Sequence, residues 1–302
     1  MQGYLKPSIQ EALESFTVFT KSLTIPSILG ITKPVDITFA VQPTTIEIDY
    51  AGMKVGLGAS VVAENGLPAG ATAPPGSLAR QDCLGAGSDD FYLPTTAPLA
   101  LAIHDDLLNQ LLFGAFYGGV LHLDIPGSVI ADKLGLDGVK VDTISIRPLL
   151  PPVITSCPSP GHLTVQLGDF GVAASLELNG KAGAIEGTIY ASADVTIKAV
   201  QGSSGALELG LSVDKLDTFA FKVTDATGAL DGSESVIELL FREVAKSLVG
   251  DAVGGGFLKS FPVPTIDISS FASGLPSLSL GFAPESVSID SGFTVIVGAP
   301  TN

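Results

Sequence analysis

Two stretches of the chain repeat apolar residues every three to four positions, and a long strand-like region separates them. The first, HDDLLNQLLFGAFY over His104–Tyr117, puts Leu107, Leu108, Leu111, Leu112, Ala115 and Phe116 on one broad stripe of a helix. Asp105 or Asp106 can cap its start and favours the positive end of the helix dipole, and Gly118–Gly119 end it. The second, SVIELLFREVAKSLVGDAV over Ser235–Val253, lines up Val236, Ile237, Leu240, Phe241, Val244, Leu248 and Val249. Ser235 and Glu238 stand in capping-box register there, and the glycines at 254–256 close the helix. A further helix is predicted over 8–23. Pro7 and Ser8 suit a first turn, Ile9, Leu13, Phe16 and Phe19 or Thr20 keep the helical spacing, and Pro26 stops it.

Elsewhere the period is two. Val35, Ile37, Phe39 and Val41, then Ile46, Ile48 and Tyr50, then Met53, Val55 and Leu57 predict a strand meander. From about 120 to 230, VKVDTISI, HLTVQLGDFGVAASLEL, GAIEGTIYASADVTIKAV and GALELGLSVDKLDTFAFKV alternate with no helix of useful length between them. SLSLGF and SVSIDSGFTVIVG finish the chain as strands. Residues 64–97 have no apolar period and are rich in Gly, Pro, Ala and Ser. They form a surface loop or linker and the best boundary in the chain. Helix, long meander, helix and strand in that order predict an α+β fold, with amphipathic helices packed along a highly curved antiparallel sheet.

Composition narrows what such a fold does. A chain of 302 residues can hold one large domain or two smaller ones, and 46% hydrophobic with 15% charged residues excludes a disordered chain. Mean hydropathy of +0.46 is high, yet no run approaches the 18 uninterrupted apolar residues of a membrane-spanning helix. Either an interior surface faces something other than protein, or a sheet is buried on both sides. The net charge of −16 argues against nucleic acid and against strong docking to anionic lipid headgroups.

Candidate chemistry is sparse. Cys83 and Cys157 each sit among turn-formers, consistent with one disulfide in an oxidising compartment or with two unrelated free thiols. No CxxC or clustered His accompanies them, so no metal site is assigned. Residues 1–25 read as a helix running into TIPSILG rather than as a signal peptide; if the cysteines pair, a leader has been removed or lies upstream. His104, His122 and His162 are 18 and 40 residues apart, a spacing of structural rather than catalytic histidines, and no GxSxG elbow is present. Asp225–Asp231 fits no established calcium loop, and GDAVGGG precedes no helix that could cradle a phosphate. The expectation is no enzyme and no cofactor.

Several segments resemble one family. APLALAIHDDLLNQLLFGAFYGGVLHLDI looks like the opening of the second barrel in the bactericidal/permeability-increasing, lipopolysaccharide-binding and cholesteryl ester transfer protein family, with Asp106, Asn109 and Gly119–Val120–Leu121 at the matching positions. SPGHLTVQLGDFGVAASLEL resembles the next landmark of that family, a proline-led strand followed by a second long strand. FLKSFPVPTIDISSF, with Pro262 and Pro264, is similar to its C-terminal element, and residues 5–62 look like the end of a preceding barrel and a central sheet.

The resemblance implies a barrel-like tubular lipid-binding fold. Residues 1–63 would be the last helix of a first barrel plus central-sheet strands, 64–97 a flexible loop, and 98–302 the second barrel, with the first barrel missing upstream. Two departures limit the carry-over. The 15 Lys and Arg residues form no basic cluster, and Cys83 and Cys157 lie where the family pattern has no disulfide, so recognition of lipopolysaccharide itself is not carried over.

What remains is an extracytoplasmic lipid-binding or lipid-transfer protein holding acyl chains in an apolar groove between helix and curved sheet. Leu108, Leu111, Leu112, Phe116, Ile237, Leu240, Phe241, Val244 and Leu248 are its candidate lipid contacts, although such stripes are more often plain core. The expected partner is a phospholipid or other acyl-chain lipid, with no nucleic acid and at most transient membrane contact. The alternative is a structural or adhesive module with a filled core. A lipid hydrolase would need a Ser within reach of one of the three histidines.

Overall fold

The computed structural model describes residues 19–25, 27, 31–48, 52–63, 97–129, 139–156, 161–201, 207–233, 261–262, 281–290 and 292–301, together with parts of 235–242. Among these residues thirteen antiparallel strands form three sheets. The first sheet is a meander of β1 (Phe19–Ile25), β2 (Val35–Ile48) and β3 (Met53–Ala63). The second pairs β4 (Leu99–His104) with β13 (Phe293–Thr301), which in turn pairs with β12 (Gly281–Asp290). The third and largest runs in the order β11, β10, β9, β8, β6, β5. It comprises β5 (Leu123–Pro126), β6 (Val139–Pro148), β8 (Leu163–Leu178), β9 (Lys181–Gln201), β10 (Leu207–Gly228) and β11 (Phe261–Pro262), with β7 (Val153–Thr155) paired to β8 beyond the end of β6. Helix α1 (Asp105–Tyr117) follows β4 directly.

Three expectations change. Residues 19–23 belong to β1, not to a helix reaching 23; residues 8–18 lie outside the described ones. FTKSLTI alternates, with Thr20, Ser22 and Thr24 exposed and Ile25 buried, and pairing with β2 gives its backbone partners that an isolated helix end would lack. The second change concerns the barrel. Among the described residues the chain is sheet-rich with few helical residues, and each sheet is open and none closes on itself. The third is that the two apolar runs after Pro34 are one strand, β2, whose pairing with β3 shifts by one residue between Pro43 and Thr45.

The large sheet is bulged where it must bend. Across β9, strand β10 carries three register shifts, between Val213 and Lys215, Leu216 and Thr218, and Val223 and Asp225. Strand β8 carries one, where Gly168 and Asp169 together oppose Tyr190 of β9. That extra residue moves the inward-facing set from Leu163 and Val165 to Phe170, Val172, Ala174 and Leu176, so one strand serves two cores. Asn179–Gly180, both at positive φ, turn β8 into β9 as a two-residue hairpin.

The cores lie at the two ends of the long strands. The first gathers Ile37 and Phe39 of β2, Leu108, Leu111 and Leu112 of α1, Leu163 of β8, Val195 and Ile197 of β9, Leu209 of β10 and Ile296 of β13. It therefore joins all three sheets through α1. The second gathers Ile144 of β6, Val172 and Leu176 of β8, Ile185 of β9, Phe221 of β10, and Ile237 and Phe241 of the second helix.

Candidate functional site

Helix α1 is held on two sides by different devices. On one side it lies close against the first sheet because its contact positions are small. A methyl group added to Gly118 would stand 2.4 Å from Cγ1 of Val35, and one added to Gly114 would just touch Ile37. The Val61 amide of β3 donates to Oε1 of Gln110 at 3.0 Å. On the other side, buried polar side chains fix it to β7. Asn109 donates through Nδ2 to the Ile154 carbonyl at 3.0 Å and accepts the Ile154 amide on Oδ1 at 2.7 Å, as a neighbouring strand would. Oδ2 of the buried Asp105 accepts both the amide and the hydroxyl of Ser156, each at 3.1 Å.

The N-cap of α1 is His104, not either aspartate. Its Nδ1 accepts the Asp106 amide at 3.2 Å, while Asp105 and Asp106 occupy the first turn, where they still meet the helix dipole. At the other end the Val120 amide reaches the Ala115 carbonyl and Gly119 takes a φ of 77°, closing the helix at the glycine pair that the sequence marks.

In the second helix the Ile237 amide donates to the Ser233 carbonyl, so helical bonding starts before Ser235, and Ser235 lies inside the helix rather than capping it. Phe241 stacks on Phe221 of β10 with centroids 4.5 Å apart, and the Phe221 ring lies over Gly187 of β9, where no larger residue leaves room.

Between the two cores, on the same face of β9, lie Ala191 and Ala193. Both are buried, and among the described residues they belong to neither cluster. They sit across from Leu167 and Val165 of β8 and from Phe219 and Leu216 of β10. Alternation keeps them in line with Ile189, which packs on the second core, and with Val195 of the first, so two small side chains lie between the packed ends.

On the opposite face, polar groups gather at the bulges. The Tyr190 hydroxyl donates to Oδ1 of Asp169 at 2.6 Å, and the Asp169 carboxylate, by accepting that proton, raises the Tyr190 pKa. Thr196 donates to Asp214, an extra residue at a β10 bulge. At the edge of the sheet, Asp124 accepts the Ser145 hydroxyl at 2.6 Å and meets Nη2 of Arg147 with both oxygens, at 2.6 and 2.7 Å. The Ser145 hydrogen bond first, and then the Arg147 guanidinium, lower the Asp124 pKa.

No family model matches the chain, and no curated relative matches it. Among solved structures it is similar to a lipopolysaccharide binding protein, at 9% identity over 99% of this chain and 95% of that one. The TM-score is 0.33, a weak resemblance in overall fold.

The predicted contact residues fall into three groups. Leu108, Leu111 and Leu112 are buried in the first core, and Ile237 and Phe241 in the second. Phe116 is half-buried, edge-on to Tyr117 with centroids 5.3 Å apart. Leu240, Val244 and Leu248, like Cys83 and Cys157, lie outside the described residues. The two stripes are thus not brought together; each serves its own end of the sheet. Among the described residues no helix is long and apolar enough to cross a membrane, and no cluster of His, Cys, Asp and Glu is set to hold a metal ion. Sequence reading missed the pair Ala191 and Ala193. Its signal was available, because small residues replace Ile and Val midway along an alternating strand.

Proposed function

We propose that this chain is a non-enzymatic, extracytoplasmic lipid-binding or lipid-transfer protein. A phospholipid or fatty acid would lay its acyl chain over Ala191 and Ala193, with the two helix stripes at its ends. Leu108, Leu111, Leu112 and Phe116 would flank one end. Ile237 and Phe241 would flank the other, with Leu240, Val244 and Leu248 continuing that stripe.

The observation that carries this reading is the pair of small buried side chains, Ala191 and Ala193, on the inner face between two separately packed cores. The high mean hydropathy of +0.46 accords with it. Burying an acyl chain gains about 0.8 kcal/mol per methylene, so a sixteen-carbon chain could contribute on the order of 10 kcal/mol before association costs. No catalytic group is needed for that.

A second reading, a structural or adhesive module with a filled core, draws support from the burial of Leu108, Leu111, Leu112, Ile237 and Phe241 in protein–protein packing. Native mass spectrometry of gently purified protein, followed by organic extraction, separates the two. Stoichiometric lipid supports the carrier; a clean protein mass with no uptake of added fluorescent phospholipid supports the filled module. Intact mass after alkylation, with and without reduction, tests the compartment. A Cys83–Cys157 disulfide is the expected result, and two alkylated thiols would remove the argument for an oxidising location.

A further inference from the structure

Three of the large apolar side chains left in water gather around a single bulge. Leu149 is 69% exposed, Leu150 39% and Tyr190 44%. All three are tied to Gly168–Asp169 of β8. The Leu149 amide donates to the Asp169 carbonyl at 2.9 Å, Leu150 leans over Gly168, and the Tyr190 hydroxyl bonds the Asp169 carboxylate. The leucines are where they are because of register. Strand β6 ends opposite Phe170 and β7 begins opposite Gln166, so residues 149–152 must bow outward as they pass the bulge. Pro148, Pro151 and Pro152 are buried on either side and anchor that bow. Proline fixes φ, so the apolar pair is held outward at little cost in chain entropy.

The size and chemistry of the patch select its occupant. The exposed area of the three side chains is on the order of 300 Å². A stable protein partner, including a second copy of this chain, needs about 800 Å² on each side. A lipid surface has no such threshold, and a tyrosine with an apolar ring and polar tip suits the level of the headgroups. The net charge of −16 selects against an anionic surface. We propose that the Leu149–Leu150 bow, with Tyr190 beside it, is a wedge that inserts into the surface of a zwitterionic bilayer. This goes beyond the cargo reading and holds whether or not the protein carries lipid.

The chain contains no tryptophan, so Leu149→Trp creates a single fluorophore at the wedge. With phosphatidylcholine vesicles its emission shifts to the blue and is quenched by lipids brominated near the headgroup end of the acyl chain. Val62→Trp, at a 57% exposed position on β3 in a different sheet, does not shift. The double variant Leu149→Asp/Leu150→Asp, checked by thermal melting to be folded, loses at least tenfold in vesicle flotation. Replacing a third of the phosphatidylcholine by phosphatidylglycerol weakens binding at low salt. Equal shifts at both tryptophans, undiminished flotation of the double variant, or no vesicle binding by the parent would each overturn the wedge. A Leu149→Trp shift that follows protein concentration without vesicles would assign the patch to a second copy instead.

Discussion

Asn109 stands in the leucine stripe of α1, where an apolar side chain would ordinarily be expected, and it is fully buried. Its two hydrogen bonds to Ile154 stand where, among the described residues, β7 has no strand neighbour on that side. Asn109→Leu would keep the branched shape and remove both bonds, leaving a buried amide and carbonyl without partners at about 1–3 kcal/mol each. The expected loss is about 2–4 kcal/mol in denaturant unfolding, the larger for β7 peeling away from the helix; a loss below 1 kcal/mol would mean that water reaches Ile154. Asp124 behaves differently because it is exposed. Its folded pKa is lowered, so its contribution is present above the ordinary carboxylate value near 3.9 and is lost as pH falls through the lowered one. Screening by solvent keeps that contribution below about 1 kcal/mol. The shift itself is measurable: carboxyl-carbon NMR should show the Asp124 midpoint rising toward the ordinary value in Ser145→Ala and again in Arg147→Gln. An unchanged midpoint in both would disprove the assigned causes.

Helix α1 shows how a single element can connect three sheets. Its polar latch faces β7, its leucines fill the first core, and its glycines admit β2 and β3 to close range. Gly118→Ala should therefore cost about 1–3 kcal/mol from crowding against Val35, and Val35→Ala in the same chain should recover part of it. Additive losses in that double-mutant cycle would show that the helix and the first sheet are not in contact there. The existence and ends of this helix were legible in the sequence because apolar spacing, an acidic first turn and the Gly118–Gly119 stop agree. The strands were legible for the same reason, through their period of two. What escaped was phase. The slip of alternation at Gly168–Asp169 is visible in HLTVQLGDFGVAASLEL, but only pairing with β9 turns it into a bulge that divides one strand between two cores. The segment 19–23 was misread as helix because FTVFTKSL fits both periods over so short a window, and the pairing partner that decides it lies 14 to 22 residues further on.

At the scale of the whole molecule, the question is whether the inner face between the two cores is filled by protein or kept for a guest. The candidate stripes could be named from sequence, yet their distribution between two ends of one long sheet could not, since that depends on the bulges in β8 and β10. Ala193 puts the matter to a direct test. It is buried midway along β9, flanked by Val165 and Leu216, with a small side chain where Ile185 and Val195 fill their own ends. In a filled core, Ala193→Phe forces several extra carbon atoms into close packing and should cost about 1–3 kcal/mol or more. In a lane kept for an acyl chain, the ring takes the place of the guest. Thermal stability of lipid-stripped protein should then be unchanged or slightly raised, while uptake of a fluorescent phospholipid falls at least tenfold. Under the first reading stability falls and there is no uptake to lose; under the second stability holds and uptake falls. A destabilised variant that still takes up lipid would place any guest elsewhere in the molecule.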